Sequence, residues 1–278
     1  MRTRAIVCLL ACLAVAAARE SFAQERPYFV TYDHYLEEPG NFEVALAVTA
    51  GDPREADGYA APWLELEYGI TGWWTTELYL ESVFTSEGSG LTGWRWENRF
   101  RPMAQEHAVN PVLYVEYEDI SEASRIQKEI VGSGGFEDEP ISELREEHEH
   151  EIEAKLILSS ALGSWNLSEN FIFEKNLSED EGIEFGYALG VSRSLGGLAR
   201  PERCTLCRES FVVGVEAYGG LGSSEETTLA GTRHFVAPVM SWRIAGLHTV
   251  KASVGFGLTD ESEPVLARVG WSYEFPLR

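Results

Sequence analysis

Arg95, Arg99 and Arg101 share one parity within a short stretch, with Glu77 and Glu81 before them and Glu116 and Glu118 after. On extended backbone, residues two apart point to the same side, so each set presents its charges on a single face. Brought together, opposed rows of this kind could form a constriction that selects permeants by a transverse field. They could equally form a salt-bridge network that satisfies buried charges and fills a narrow interior. Both readings need the same residues. A second candidate is Glu146-Glu-His-Glu-His-Glu151, where His148 and His150 share a strand face and could hold one borderline divalent metal. Two ligands leave that site incomplete, and the alternative is a solvated acidic strand end.

Cys204-Thr-Leu-Cys207 has a spacing used by three chemistries. Haem attachment needs a histidine next, and residue 208 is Arg208. A structural zinc site needs two further ligands. A local disulfide in an oxidising compartment is the plainest reading. Arg200, Arg203 and Arg208 would lower a thiol pKa, so redox activity is the alternative. A hydrolytic Ser–His pair on one strand face is not apparent: no histidine has Ser two residues later, and His234 and Ser241 differ in parity.

The elements that carry these residues alternate. Leu64, Leu66, Tyr68 and Ile70 oppose Glu65, Glu67 and Gly69, and Leu113, Val115 and Tyr117 oppose Tyr114, Glu116 and Glu118. The same period of two recurs from about residue 41 to 275, with irregularities at Glu169 and Pro238 that a bulge or an edge could explain. About 12 such strands, with a range of 10–14, are long enough to cross a membrane when tilted, and nearly every one has a charged face. This predicts an all-β fold, an antiparallel up-and-down transmembrane β-barrel with a polar lumen and lipid outside. Taking 41–50 as the first ascending strand, long connections at 51–58, 86–90, 119–146, 177–182, 222–231 and 259–263 fall at the outer end. Tight ones at 71–72, 161–164 and 245–246 fall at the inner end, beside the longer 102–109 and 195–209. Trp73, Trp74, Trp94, Trp165, Trp242, Trp271 and Tyr273 mostly sit near strand ends, as interfacial girdles require.

The chain has 278 residues and a formal net charge of −23. A balance this acidic excludes nucleic acid as a partner, since phosphate binding needs clustered Lys and Arg. Aromatic content of 12% argues against disorder. Residues 1–23 have the layout of a cleavable signal peptide: Arg2 and Arg4, an apolar run from Ala5 to Ala18, and Ser21-Phe22-Ala23. Leu10-Ala11-Cys12 admits a lipoprotein alternative, but the apolar run continues past the cysteine. These residues carry Arg2, Arg4 and Arg19 against Glu20, so a chain without them would stand at −25. The expected layout is a signal peptide at 1–23, a lead-in at 24–40 and a barrel at 41–278. The lead-in would be periplasmic or packed in the lumen. The outer connection 119–146 carries eight acidic residues against Arg125, Lys128 and Arg145, and would concentrate cations at the mouth or tether to lipid through divalent ions. Its other reading is solubility.

Trp63-Leu-Glu-Leu-Glu-Tyr-Gly-Ile-Thr71 resembles the strand-and-turn signature of outer-membrane barrels grouped as transporters of the phenol-degradation MetA-pathway type. Gly255-Phe-Gly-Leu-Thr-Asp-Glu-Ser262 with Trp271-Ser-Tyr-Glu-Phe275 is similar to their closing hairpin. The resemblance implies an outer-membrane channel or uptake role with no catalytic residues. The chain departs from the terminal aromatic residue of many such barrels by continuing Pro276-Leu277-Arg278. Together these readings predict a porin-like channel without a cofactor. Its expected partners are outer-membrane lipid, small solutes or cations, and the barrel-assembly machinery. A closed structural barrel is the rival, with a soluble exported β-protein or a lipid-modifying enzyme behind it.

Overall fold

The structure is a computed structural model and describes residues 26–52, 58–86, 88–126, 148–196, 206–244 and 247–276. Within these residues alternation produces twelve strands: β1 (Asn41–Gly51), β2 (Tyr59–Thr71), β3 (Trp74–Thr85), β4 (Gly88–Phe100), β5 (Asn110–Ser121), β6 (His148–Leu162), β7 (Trp165–Asn176), β8 (Glu184–Ser194), β9 (Phe211–Ser223), β10 (His234–Ile244), β11 (His248–Gly257) and β12 (Val265–Pro276). Each pairs antiparallel with the next, and β12 pairs with β1 from Asn41 opposite Pro276 to Gly51 opposite Leu266. The sheet therefore closes and has no free edge, which is what hydrocarbon demands of a spanning sheet.

The faces are inverted relative to a soluble protein. On β3, Thr75, Glu77, Tyr79, Glu81 and Val83 are buried, while Leu78, Leu80 and Phe84 are 36%, 41% and 51% exposed. Such an outer face suits the hydrocarbon of a membrane. Aromatic clusters frame it. Trp74 stacks on Phe100, Phe211 on Trp242, and Tyr273 meets Phe275 at the inner end. Trp94–Tyr117 and Phe173–Phe185 lie toward the outer end.

The two irregular segments have simpler explanations than a bulge or an edge. Glu169 lies in a continuous register between Leu158 of β6 and Leu189 of β8, and faces outward among Leu167, Phe171 and Phe173. Pro238 sits opposite Val215 of β9, at a gap in the β10–β11 ladder between Val236 and Val239, where a residue without an N–H is accommodated.

Residues 26–40 form no strand and pack inside the barrel, the second of the two placements open from the sequence. Tyr28, Val30, Tyr32, His34 and Leu36 are all at least nine-tenths buried. Close approach is possible because the wall opposite is glycine. A Cβ on Gly190 would lie 2.7 Å from the Tyr28 ring, and one on Gly69 would lie 2.1 Å from the Glu38 carbonyl oxygen. Gly40 donates its N–H to the Gly69 carbonyl at 2.7 Å.

The lumen is not polar throughout, contrary to expectation. Tyr59, Ala61, Val83, Ile172, Tyr218, Phe235 and Leu266 pack across its outer half, with Val30 from the N-terminal segment and Ala123 from the turn after β5. Here the inward positions of several strands are apolar, because they meet one another and Val30 instead of water.

Candidate functional site

The charged rows converge on the wall formed by β2 to β5. Pairing β3 with β4 puts Tyr79 opposite Arg95 and Thr75 opposite Arg99; pairing β4 with β5 puts Arg95 opposite Glu118 and Glu97 opposite Glu116. Arg95 donates through Nε to Glu81 at 2.6 Å and through Nη1 to Glu116 at 3.1 Å, with its guanidinium 4.3 Å over the Tyr79 ring. Arg99 donates through Nη2 to Glu77 and, at 2.6 Å, to Glu67; its Nε lies 2.9 Å from Glu97. Tyr79 Oη donates to Glu77 at 2.5 Å. Six of the seven residues expected at a constriction thus lie on one wall, where two arginines hold Glu77, Glu81 and Glu116 of that set, with Glu67 and Glu97 beside them, in charge-assisted contacts. The seventh does not join. Arg101 lies beyond the end of β4, where its N–H caps Trp73 and its Nη2 donates to the Gly72 carbonyl at 2.8 Å. Strand pairing stops at Phe100, so parity no longer governs Arg101.

Tyr32 is the centre of this network, and nothing in the sequence marked it. Its Oη donates to Glu97 at 2.9 Å, and its ring packs edge-on to Tyr114. Arg26 lies 3.7 Å and Lys155 4.8 Å from its ring centroid. Polar groups from the opposite wall hold the backbone beside it. Glu216, fully buried, accepts the N–H groups of Val30 at 3.0 Å and Thr31 at 3.1 Å. Asn170 accepts the N–H of Tyr32 at 2.6 Å and donates to its carbonyl at 2.9 Å. His34 Nδ1 meets Ser159 Oγ at 2.8 Å. These bonds pair backbone groups that the segment, lacking secondary structure, could not pair itself.

The His34–Ser159 contact is the Ser–His pair that the sequence could not show, since the two lie 125 residues apart. Both are exposed by 1% or less. The pair ties the segment to β6.

Among the described residues, carboxylates form three triplets with one oxygen from each within 4.8 Å of the others: Glu43–Glu65–Glu67, Glu116–Glu118–Glu153 and Glu118–Glu151–Glu174. Oxygen donors of this kind suit hard divalent cations. Cations of the protein stand beside each: Arg99 at Glu67, Arg95 at Glu116 with Lys155 at Glu153, and Arg125 at Glu151. Burial works against the charged form of Arg125, but Glu151, Glu174 and Glu149 outweigh it and raise its pKa above the ordinary value.

His148 and His150 share the outward face of β6 at the outer rim, outside the lumen. Each has its own partner on β5: His148 Nδ1 meets Asp119 at 2.9 Å, and His150 Nδ1 meets the Tyr117 hydroxyl at 2.9 Å. Cys204, most of the acidic outer connection and residues 1–23 lie outside the described residues, so the disulfide, the acidic mouth and the signal peptide remain expectations.

No protein family and no curated protein matches this sequence. Among solved structures the chain is similar to the KdgM porin, with a TM-score of 0.54 at 7% identity, covering 84% of this chain and 99% of the porin. The same porin in complex with disordered oligogalacturonate gives a TM-score of 0.52 at 7% identity, over 84% and 99% of the two chains. An outer membrane channel from Pseudomonas putida F1 gives 0.56 at 11% identity, over 91% of this chain and 100% of the other. At such identities the likeness is one of fold.

Proposed function

We propose that this chain is a porin-like channel of the bacterial outer membrane that lets small solutes or cations pass without a cofactor. The observation that carries the reading is a closed barrel with an apolar outside and an ordered set of lumenal arginines and glutamates. Rows of opposed charge on a lumenal wall supply a transverse field that can select permeants. Glu77, Glu81, Arg95, Arg99, Glu116 and Glu118 form the selecting wall, and residues 26–40 narrow the passage against it. Solutes pass when that segment shifts. Porins and a channel among the fold's neighbours favour this reading, and one of those porins is described in complex with an oligogalacturonate.

The finer assignment is a transporter of the MetA-pathway type. Trp63–Thr71 falls on β2 up to its turn, and Gly255–Ser262 with Trp271–Phe275 falls on the β11–β12 hairpin, which supports it. Residues 1–23 direct export, the assembly machinery inserts the barrel into outer-membrane lipid, and a Cys204–Cys207 disulfide staples the inner connection. Liposome swelling tests the function. Vesicles carrying the folded protein should swell in isosmotic small sugars faster than empty vesicles. Equal rates, with folding verified by a heat-dependent gel shift, would favour the closed structural barrel.

A further inference from the structure

Two adjoining spaces in the lumen have opposite charge balances. The first, of about 730 Å³ including its solvent-open part, is lined by four cationic side chains and one carboxylate, beside Trp63 and several tyrosines. The second, of about 560 Å³, is lined by six carboxylates and four cations. They share Arg26, Glu65 and Lys251, so the sign of the lining changes across that boundary.

The carboxylates that fix the cations of the first space stand behind them. Glu81 and Glu116 hold Arg95, Glu153 holds Lys155, and none of the three lines the space. An anionic group entering there meets N–H donors first. Several polar atoms of the lining residues make no hydrogen bond, and two of them are of opposite character. Arg26 Nη1, on the shared wall, is buried and makes no hydrogen bond; Glu37 Oε1, in the second space, is buried and accepts none. A donor and an acceptor left unsatisfied on a lumenal wall are costly unless a solute pairs with them.

From this segregation we infer that the lumen binds a zwitterionic solute, its carboxylate against Arg26, Arg95 and Lys155 and its ammonium against Glu37 and the carboxylates of the second space. The inference deepens the channel reading and rests on it for the route by which a solute arrives. A net-neutral zwitterion also escapes the repulsion that a chain at −23 exerts on free anions. The N-terminal segment supplies both Arg26 and Glu37, so it is part of the binding wall as well as an obstruction.

A matched six-carbon series tests this by calorimetry on the folded full-length barrel in detergent: 6-aminohexanoate, hexanoate and hexylamine. The zwitterion should bind at least about tenfold more tightly than either single-charge analogue, because each end makes a charge-assisted bond. Arg26→Gln should erase its advantage over hexylamine, and Glu37→Gln its advantage over hexanoate, with both variants keeping the heat-dependent gel shift. Equal or tighter binding of hexanoate or hexylamine, or no binding by any of the three, overturns the inference. The liposome assay separates the two readings. Swelling without 6-aminohexanoate binding leaves the channel and removes this site; binding without swelling leaves the site and removes the channel.

Discussion

Arg99 holds Glu67, Glu77 and Glu97 at once, and all four side chains are at least nine-tenths buried. Arg99→Met would leave three buried carboxylates without their shared cation, a loss of about 3–5 kcal/mol. The urea midpoint of the folded barrel should fall accordingly. Arg101→Ala, which removes a bond to a turn carbonyl at the exposed inner end, should move it by no more than about 0.5 kcal/mol. Equal effects would mean that parity, rather than the ion network, describes these arginines. Glu169 offers the converse case. It is an outward carboxylate flanked by leucines, so Glu169→Leu should raise stability by about 1 kcal/mol, and a drop would reveal a partner on that face.

At the scale of elements, the strands were legible because the period of two is physical: one face of each strand is apolar and exposed, and the other is turned into the barrel. Strand positions, turn positions and the shared wall of six of the seven candidate constriction residues follow from it. Tyr32, Glu216 and Asn170 were not legible. Residues 26–40 form no strand, and the bonds from Asn170 and Glu216 reach them across 138 to 187 residues, a pairing that only barrel closure creates. Lumenal packing of Val83, Phe235 and Leu266 was hidden for a related reason, since alternation assigns a face but not what that face meets. The latch on the segment is testable. Glu216→Ala removes the acceptor of the Val30 and Thr31 N–H groups, and Gly190→Val drives a methyl into the Tyr28 ring. Either should speed hydrogen exchange at residues 29–32 by about tenfold or more while strand amides keep their protection. Unchanged exchange at 29–32 would mean that the clamp does not hold the segment.

The whole molecule is a twelve-stranded barrel with an apolar exterior, a charged wall, an apolar layer in its outer half and its own N-terminal segment latched between. On the proposed channel reading this arrangement makes passage conditional: the strands would supply the pore, and the segment would set how much of it is available. Single-channel conductance in a planar bilayer tests this most directly, comparing the native chain with Glu216→Ala after both pass the heat-dependent gel shift. The account predicts discrete steps from the native protein and larger or longer openings from the variant. Folded proteins that both stay silent would contradict it and leave a closed barrel that carries no solute.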